Sequence, residues 1–406
     1  MHNTRTILED IVWVGATDRR VMLFENLFPL KHGMSYNSYV ILDERTALMD
    51  TVDASISDVY LENVKHALSG RTLDYLVIHH MEPDHCANIQ AILREYPEAK
   101  IVGNKTTFKF LEQFYDTDLK DNYQIVKDND TLDLGKHQLL FKLMPNVHWP
   151  EVMFSYEQSE GILFSADAFG TFGPLDGNLF SDTLDFYGRL ATESRRYYAN
   201  IIGKYGSNVL KALKKLSDFP IRMILPLHGP MYRKKEHIDY LLERYQKWAS
   251  YEPEEQSTLI LFASMYGNTE NAVDKLASYL ADKGVCNIRL FDISNTEPSL
   301  ILSEMWHYSH LVLASPNYNG DLMYKMDYII REALRMNLKK RKVSFISNQT
   351  WGGSALKTMM AYFSNEKDFQ IIGDPVQISS SVKADRISQL ENLANAIVDS
   401  LNETAD

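Results

Sequence analysis

The spacing of apolar positions is most regular in the last third of the chain. From Thr258 onward, apolar segments alternate with stretches of helical spacing, and the segments read TLILFAS, NIRLFDIS, HLVLASP, KVSFISN and FQIIGDPVQI. Short apolar strands that alternate with helices are typical of a doubly wound parallel sheet. This part of the sequence therefore predicts five parallel strands with helices between them.

The first half of the chain has a mixed pattern. TALMDTVD and DYLVIHH predict buried strands, while DVYLENVKHAL and IQAILREY have helical spacing. From Tyr123, the segments QIVKDNDTLDLGKHQLLFKLM and VMFSYEQSEGILFSAD predict hairpins with polar turns, and IRMILPLHGP predicts one more buried strand. A mixed α/β structure is expected.

A polar, proline-containing stretch separates the two patterns. It follows the helix-like HIDYLLERYQKWASY and contains EPEEQS. With 406 residues the chain is too long for one average domain. We expect one domain at 1–250, a linker at 251–257 and a second domain at 258–406.

Charge and hydropathy exclude some classes of function. The formal net charge of -12 argues against a nucleic-acid binder and against a protein held on anionic membranes. No apolar run approaches the roughly 18 residues of a membrane helix, so a cytoplasmic protein is expected. The basic segments LKKRK (338–342) and RKKEH (233–237) are interpreted as solvated faces.

Proton- and metal-binding groups are concentrated in VIHHMEPDHCANI, residues 77–89. A strand places alternate side chains on opposite faces, so His80 and Glu82 are expected on one face and His79 on the other. A turn at Pro83 would direct the next two side chains to the same pocket. The segment supplies four candidate ligands: His80, Glu82, Asp84 and His85.

Three further candidates follow other predicted strands or hairpins: His148 in PNVHWP, Asp167 in ILFSAD and His228 in ILPLHG. The two cysteines, Cys86 and Cys286, are too far apart for a CxxC pair, so a bound metal needs nitrogen and oxygen ligands. The remaining histidines show no ligand spacing and are interpreted as surface or hydrogen-bonded residues: His2, His66, His137, His237, His307 and His310.

The set resembles the HxHxDH signature of the metallo-β-lactamase superfamily, with Glu82 at the position of the second histidine. A carboxylate there makes the site harder and favours a redox-active iron pair over zinc. HxExDH, followed by His148, Asp167 and His228, is similar to the flavodiiron (A-type flavoprotein) family over essentially the whole chain. The resemblance implies a metallo-β-lactamase-like αββα sandwich joined to a flavodoxin-like domain with a five-stranded, doubly wound parallel sheet.

The same resemblance implies how two iron ions would be held. One would take His80, Glu82 and His148, and the other Asp84, His85 and His228, with Asp167 bridging. His85 is the least certain of these ligands by the family pattern.

Hydroxyl-bearing and small residues mark a phosphate site in the C-terminal domain. LILFASMYGNTE places them between a strand and a helix, where backbone N–H groups cradle phosphate, and no GxGxxG motif is present. The loop resembles the FMN-phosphate loop of flavodoxins. ASPNYNGDL and SNQTWGGSA end the third and fourth strands at the same edge, and Tyr318 and Trp351 are candidates to flank the flavin ring. The FMN-binding candidates are Ser264, Met265, Tyr266, Gly267, Asn268, Thr269, Ser315, Pro316, Asn317, Tyr318, Asn319, Gly320, Asn348, Thr350, Trp351, Gly352 and Gly353.

Reduction of dioxygen to water, of nitric oxide to nitrous oxide, or of both is the activity that the resemblance implies. A diferrous pair and reduced FMN together hold the four electrons that dioxygen requires, and nitric oxide requires two for each pair of molecules. The end of the sequence, NETAD, carries no rubredoxin-like cysteines, so a separate donor is expected, and the resemblance implies rubredoxin. The resemblance also implies a head-to-tail homodimer, or a dimer of dimers, which would bring the FMN of one subunit beside the iron pair of the other.

Catalytic candidates beyond the ligands come from the family pattern as well. Asp167 and Tyr197 are candidates, and Tyr198 is the neighbouring alternative to Tyr197. Glu25 stands where several members carry a histidine, and His32 is a candidate to replace that histidine.

Two other classes compete with this interpretation. A zinc hydrolase of lactamase fold fused to a flavodoxin module predicts zinc in the pocket and metal-activated water. A non-catalytic electron-transfer protein predicts dioxygen consumption that survives the loss of Asp167.

Overall fold

The computed structural model of the chain describes residues 1–116, 119–364 and 366–403, and it divides into two compact units. The first unit contains residues 1–198 and 207–246, and the second contains 199–206 and 247–406. The division differs from the expected boundary because 199–206 groups with the C-terminal part and a strand begins at Glu255, inside the expected linker. Residues 404–406, the end of the expected second domain and of the NETAD segment, lie outside the described residues.

The strands of the first unit are β1 (Arg5–Leu8), β2 (Ile11–Trp13), β3 (Ala16–Asp18), β4 (Leu23–Phe24), β5 (Phe28–Pro29), β6 (Met34–Tyr36), β7 (Tyr39–Leu42), β8 (Thr46–Met49), β9 (Tyr75–Val77), β10 (Lys100–Gly103), β11 (Tyr123–Ile125), β12 (Thr131–Asp133), β13 (Gln138–Leu143), β14 (Met153–Glu157), β15 (Ile162–Phe164) and β16 (Met223–Leu225). The helices up to the boundary are α1 (Ser57–Leu68), α2 (Pro83–Cys86), α3 (Ile89–Glu95), α4 (Lys105–Phe114), α5 (Ala191–Tyr197), α6 (Gly206–Leu216) and α7 (Lys235–Ala249).

Two sheets face each other in this unit. One has the order β1-β2-β7-β8-β9-β10-β11 and the other β12-β13-β14-β15-β16. Their apolar side chains form one core, in which Met49 and Val77 of the first sheet pack in the same cluster as Phe141 and Phe164 of the second. The two sheets thus pack face to face over a shared core.

Two sequence predictions for this unit were wrong in detail. Residues 123–125 do not start a hairpin, because β11 pairs in parallel with β10 after the crossover through α4. In this segment the hairpin consists of β12 and β13, and the other predicted hairpin is formed by β14 and β15. The strand DYLVIHH ends at Val77, because the N–H groups of His79 and His80 donate to Oδ1 of Asp50 rather than to a neighbouring strand.

The second unit is a parallel sheet with helices. Its strands are β17 (Glu255–Phe262), β18 (Arg289–Asp292), β19 (Tyr308–Tyr318), β20 (Asp321–Leu322), β21 (Arg341–Gln349), β22 (Phe369–Ile371) and β23 (Val376–Ser379), and its helices are α8 (Asn268–Asp282), α9 (Pro298–His307), α10 (Tyr324–Arg335), α11 (Ala355–Phe363) and α12 (Ala384–Asn402). The strand order is β18-β17-β19-β21-β22. The predicted fifth strand is divided into β22 and β23, which both pair with β21 on either side of Gly373 and Pro375. Gly373 has a positive φ of 70° and proline lacks a donor, so neither residue extends a ladder.

The prediction that the two basic segments are solvated was wrong for Arg341 and His237, and Leu338 of the first segment is buried as well. Arg341 is 1% exposed, and His237 is buried with its ring stacked on Phe186 at 3.7 Å between centroids. Within 1–116, 119–364 and 366–403, no helix is both long enough and apolar enough to cross a membrane.

Candidate metal centre and cofactor cavity

The structure brings all seven candidate ligands of the first unit into one buried cluster. Asp167 follows β15 and His228 follows β16, two parallel strands whose carboxyl ends reach the same edge. His80 and Glu82 lie between β9 and α2, and His148 lies between β13 and β14. The ligand atoms form two groups, each within 4.8 Å: His80, Glu82, His148 and Asp167 in one, and Asp84, His85 and His228 in the other.

The first group has carboxylate oxygens between two imidazoles. Oε2 of Glu82 lies 3.2 Å from Nε2 of His80 and 3.2 Å from Nε2 of His148. Oδ2 of Asp167 lies 3.3 Å and 3.1 Å from the same two nitrogens. Four donor atoms therefore converge on one point, as a metal ion requires.

The second group lies on the other side of Asp167. Oδ1 of Asp167 is 3.0 Å from Nε2 of His85 and 3.6 Å from Nε2 of His228. Oδ2 of Asp84 is 3.2 Å from Nε2 of His228. The two oxygens of Asp167 therefore face different groups, which is the arrangement of a carboxylate that bridges two ions.

Several buried atoms of this cluster have no hydrogen-bond partner among the described residues. They are both carboxylate oxygens of Asp84, both ring nitrogens of His85, Oδ1 of Asp167 and Nε2 of His228. Buried polar atoms are normally paired, and buried charges coordinate metals when they are not. Imidazole and carboxylate donors in two adjoining groups fit a pair of iron ions. The same donors fit borderline or hard divalent cations in general.

The electrostatics of the cluster favour positive charge. Burial alone lowers the pKa of His85, but the charges of Asp84 and Asp167 outweigh it and raise that pKa to about 9. Burial likewise opposes the hydrogen bonds to Asp167 and Glu82 that raise the pKa of His148 to about 9. Burial raises the pKa of Asp167, but its histidine neighbours outweigh burial and hold it well below its usual range. The same negative potential attracts divalent cations, which displace these protons when they bind.

Sequence reasoning missed the residues that orient the ligands. Nδ1 of His80 lies 2.7 Å from Oε1 of Glu151, which is itself buried. Nδ1 of His228 donates to the carbonyl oxygen of Ser35 at 2.8 Å. Such contacts fix the ring so that Nε2 points to the metal position. An acidic residue three positions after His148 was a signal for Glu151, whereas nothing in a sequence marks a backbone acceptor such as Ser35.

The candidates of the N-terminal loop and of α5 have different surroundings. Tyr197 is fully buried, with its ring centroid 5.8 Å from that of His228. Tyr198 packs on Tyr245 instead. His32 is exposed, and among the described residues no hydrogen bond, ion pair or ring contact joins it to the cluster.

Glu25, unlike His32, is coupled electrostatically to the ligand cluster. Desolvation by the surrounding protein and then the charge of Glu82 raise its pKa to about 8, although its side chain reaches solvent. It occupies a tight turn in which Leu27 N–H donates to Phe24 O and both central residues, Glu25 and Asn26, have positive φ. The ring of Phe24 stands edge-on to His228 at 5.3 Å, so this turn covers the second ligand group.

The second unit has a cavity of about 370 Å³ at the carboxyl ends of β17, β19 and β21. It is lined by fourteen predicted FMN-binding residues, Ser264, Met265, Tyr266, Asn268, Thr269, Pro316, Asn317, Tyr318, Asn319, Gly320, Asn348, Thr350, Trp351 and Gly352, together with Gln349 and Ser380, which the sequence analysis missed. Gly267 and Gly353 lie in the same loops and Ser315 lies in β19, but these three residues do not line the cavity.

The lining of this cavity fits a flavin with a phosphate group. Gly267, with φ of 85°, precedes α8 and donates its N–H to Oγ of Ser264 at 3.1 Å, so a helix N-terminus faces the cavity. Oδ1 of Asn348 is buried and has no partner among the described residues. Tyr318 and Trp351 expose rings that can flank a planar ligand.

Comparison with known proteins agrees with this geometry. Residues 34–229 match the family model of the ODP family beta lactamases. The chain is 29% identical over 372 residues to a nitric oxide reductase of Moorella thermoacetica, covering 91% of each chain. It is 30% identical over 356 residues to an anaerobic nitric oxide reductase flavorubredoxin of Aliivibrio salmonicida, covering 86% of this chain and 70% of the relative.

Solved structures share the fold over the whole chain. Rubredoxin oxygen:oxidoreductase from Desulfovibrio gigas superposes with a TM-score of 0.91 at 26% identity, covering 98% of both chains. The flavodiiron protein from Giardia intestinalis, at 23% identity, has the same fold with a TM-score of 0.92, covering 100% of this chain and 99% of that one. A lactamase-like metal-binding unit joined to a flavodoxin-like unit is thus the class that fold and site define, which confirms the predicted fold class. The chain belongs to the flavodiiron protein family.

Proposed function

We propose that this chain is a flavodiiron oxidoreductase that reduces nitric oxide, dioxygen or both. The names of its relatives, nitric oxide reductase and rubredoxin oxygen:oxidoreductase, support the two substrates. The observation that carries the proposal is the position of Asp167, whose two oxygens face two separate groups of ligand atoms. A centre for two metal ions follows from it.

The ligands divide between the two ions. His80, Glu82 and His148 would hold one ion, and Asp84, His85 and His228 the other, with Asp167 between them. The FMN would occupy the cavity of the second unit. When bound, the two iron ions and the FMN supply the redox chemistry, and the chain supplies geometry, charge and exclusion of water.

Aromatic rings limit the access of water to the centre. Phe24 and Tyr36 stand edge-on to the ring of His228 at 5.3 Å and 5.4 Å between centroids, and Tyr197 lies at 5.8 Å. Burial, followed by the charge of Asp167, raises the pKa of Tyr197. Its hydroxyl therefore keeps its proton at neutral pH, and we assign Tyr197 to the reaction as a proton donor.

Electrons would come from a separate donor, with rubredoxin as the first choice because of the name of the Desulfovibrio gigas protein. We also propose head-to-tail pairing of two copies, as a homodimer or a dimer of dimers. Each unit carries exposed apolar side chains that such pairing would bury: Met22, Leu23 and Leu27 in the first unit and Tyr266 and Trp351 in the second.

Metal analysis and gas consumption test the proposal together. We expect two irons and one FMN per chain after anaerobic reconstitution, and consumption of dioxygen or nitric oxide with a reduced donor. Two zincs per chain and an esterase or thioesterase activity would favour the lactamase-type hydrolase instead.

Asp167→Ala is the decisive variant. It removes an oxygen from each ligand group, so we expect loss of iron and of gas consumption, with FMN binding retained. The matched control is Asp176→Ala, since Asp176 is an exposed aspartate of the same unit that pairs with Arg19. Gas consumption that survives Asp167→Ala would show an electron-transfer protein without a working metal centre.

A further inference from the structure

The two ligand groups of the metal centre are held unequally by the protein around them. The group of His80, Glu82, His148 and Asp167 brings four residues within 4.8 Å, whereas the group of Asp84, His85 and His228 brings three. The first group has two carboxylates and the second has one. Because Oδ1 of Asp167 also faces the second group, the number of carboxylates alone does not distinguish the two groups. The difference lies in the partners of the histidine rings at Nδ1, on the side away from the metal position.

A buried carboxylate lies behind the first group. Oε1 of Glu151 lies 2.7 Å from Nδ1 of His80 and accepts the backbone N–H of Met81 at 2.8 Å. Glu151 is 1% exposed, and its other oxygen, Oε2, has no hydrogen-bond partner among the described residues. The negative charge of Glu151 is therefore directed at His80. A carboxylate behind a histidine makes its metal-binding nitrogen more basic.

No carboxylate lies behind the histidines of the second group in the part of the chain that the structure describes. Nδ1 of His228 donates to the neutral carbonyl oxygen of Ser35 at 2.8 Å. Nδ1 of His85 is buried and has no hydrogen-bond partner within the described residues. At Nδ1, the ring of His228 is thus held by a dipole, whereas the ring of His85 has no such contact in the described part of the chain.

We infer that Glu151 makes the two metal positions inequivalent, so that the position built on His80 binds its divalent ion more tightly and fills before the position built on Asp84, His85 and His228. Glu151 is a positioning residue, because it acts on the metal through His80. The inference rests on the proposed function in taking the seven side chains as metal ligands.

Cobalt(II) titration of the metal-free full chain tests this order, followed by visible absorption and calorimetry. We expect two steps for the unaltered chain. His148→Ala removes a ligand of the first group and is expected to abolish the tighter step, while His228→Ala is expected to abolish the weaker one. Trp149, whose ring lies 5.2 Å from that of His80, gives a second readout, since its fluorescence is expected to be quenched mainly in the first step.

Glu151→Gln keeps an acceptor oxygen and the side-chain shape but removes the charge. We expect the tighter step to weaken by about 10- to 100-fold while the weaker step is unchanged. Glu157→Gln is the matched control, because Glu157 is also fully buried in the first unit but pairs with His137 at 3.1 Å, away from the ligands. If Glu151 had only a structural role, Glu151→Gln and Glu157→Gln would both lower the thermal stability and would leave both cobalt steps unaltered.

Three results would overturn the inference: equal affinities at the two positions of the unaltered chain, loss of the tighter step in His228→Ala, or an unaltered tighter step in Glu151→Gln. The His148 and His228 variants keep the order testable if Glu151→Gln does not fold. Failure of the unaltered chain to bind any cobalt is a separate result, which would overturn the proposed function as well.

Discussion

Nδ1 of His79 lies 2.5 Å from Oδ2 of Asp50, in the core next to the first metal ligand. The other ring nitrogen of His79 lies 2.6 Å from Oγ of Ser155, which is on β14. Asp50 and His79 follow β8 and β9 of one sheet and Ser155 lies on β14 of the other, so the contact of His79 with Ser155 joins the two sheets of the first unit. Oδ1 of Asp50 also accepts the N–H groups of His79 and His80. Asp50 and His79 therefore hold the ligand-bearing segment in place.

Removing the carboxylate of Asp50 is expected to destabilise the first unit. Asp50→Ala leaves three buried donors without an acceptor, so we expect the free energy of unfolding to fall by about 3–5 kcal/mol. Ser155→Ala removes only the contact at Nε2 of His79, and we expect a loss of about 1–2 kcal/mol. Urea unfolding followed by tryptophan fluorescence measures both. Equal losses in the two variants would contradict the role given to Asp50.

The ligand segment shows what a sequence can and cannot reveal about this site. The motif from His80 to His85 is local, so its residues are close together whatever the rest of the chain does. The structure leaves His79 outside both ligand groups, as predicted, but the strand ends at Val77, so its contacts with Asp50 rather than strand alternation place this side chain. Its partners, Asp50 and Ser155, are 29 and 76 positions away, and no local pattern connects them to it. Such contacts depend on the packing of the two sheets.

A glycine beside the cofactor cavity is expected to tolerate no side chain. A Cβ at Gly353 would lie 2.4 Å from Cγ of Asn317. Asn317 cannot yield easily, because its Oδ1 accepts the N–H of Ala355 at 2.8 Å and its Nδ2 donates to Gln349 at 2.9 Å. Since overpacking commonly costs about 1–3 kcal/mol, we expect Gly353→Ala to weaken FMN binding by roughly 10- to 100-fold.

A change outside the cavity provides the control for this experiment. Lys357 is an exposed residue of α11 that does not line the cavity, so Lys357→Ala is expected to leave FMN affinity almost unchanged. Quenching of FMN fluorescence on binding measures both affinities. The same dissociation constant for the two variants would show that Asn317 does not shape the cavity.

Arg341 is expected to be essential for the stability of the second unit. Its guanidinium donates to five backbone carbonyl oxygens, those of Tyr251, Met305, Trp306, Lys339 and Lys340, at 2.7–3.1 Å. Arg341→Met leaves these carbonyl groups without that donor, so we expect the free energy of unfolding to fall by about 3–5 kcal/mol. Lys340→Met, an exposed change in the same segment, is expected to alter it by less than about 0.5 kcal/mol. Urea unfolding of the FMN-free chain checks both, and similar values would refute the role of Arg341.

The wrong prediction that the LKKRK segment is solvated has a physical origin. A run of lysine and arginine is usually solvated, and LKKRK carries no sign that one member is buried. The difference arises because Arg341 begins β21 next to carbonyl groups from the end of α9 and from Tyr251, which are 35–36 and 90 positions away. The alternation of strands and helices was predictable from local spacing, whereas this contact is set by how those elements pack.

His310 is expected to make the second unit less stable in mild acid. Burial, and then the charge of Lys342, lower the pKa of this fully buried histidine from 6.5 to about 3. The stabilisation by the neutral ring is complete above pH 6.5 and is lost as the pH falls from 6.5 toward 3, because only the unfolded chain takes up a proton in that range. The loss is about 1.4 kcal/mol for each pH unit.

Replacement of His310 by glutamine removes this titration but keeps a polar side chain near Ser344, to whose Oγ Nε2 of His310 lies at 2.9 Å. Between pH 7.5 and pH 5.0, we expect the unfolding free energy of the unaltered chain to fall by about 2 kcal/mol more than that of His310→Gln. His66→Gln, a change at an exposed histidine, is the control and is expected to follow the unaltered chain. Parallel pH profiles for His310→Gln and the unaltered chain would mean that His310 takes up its proton in the folded state, contrary to its burial.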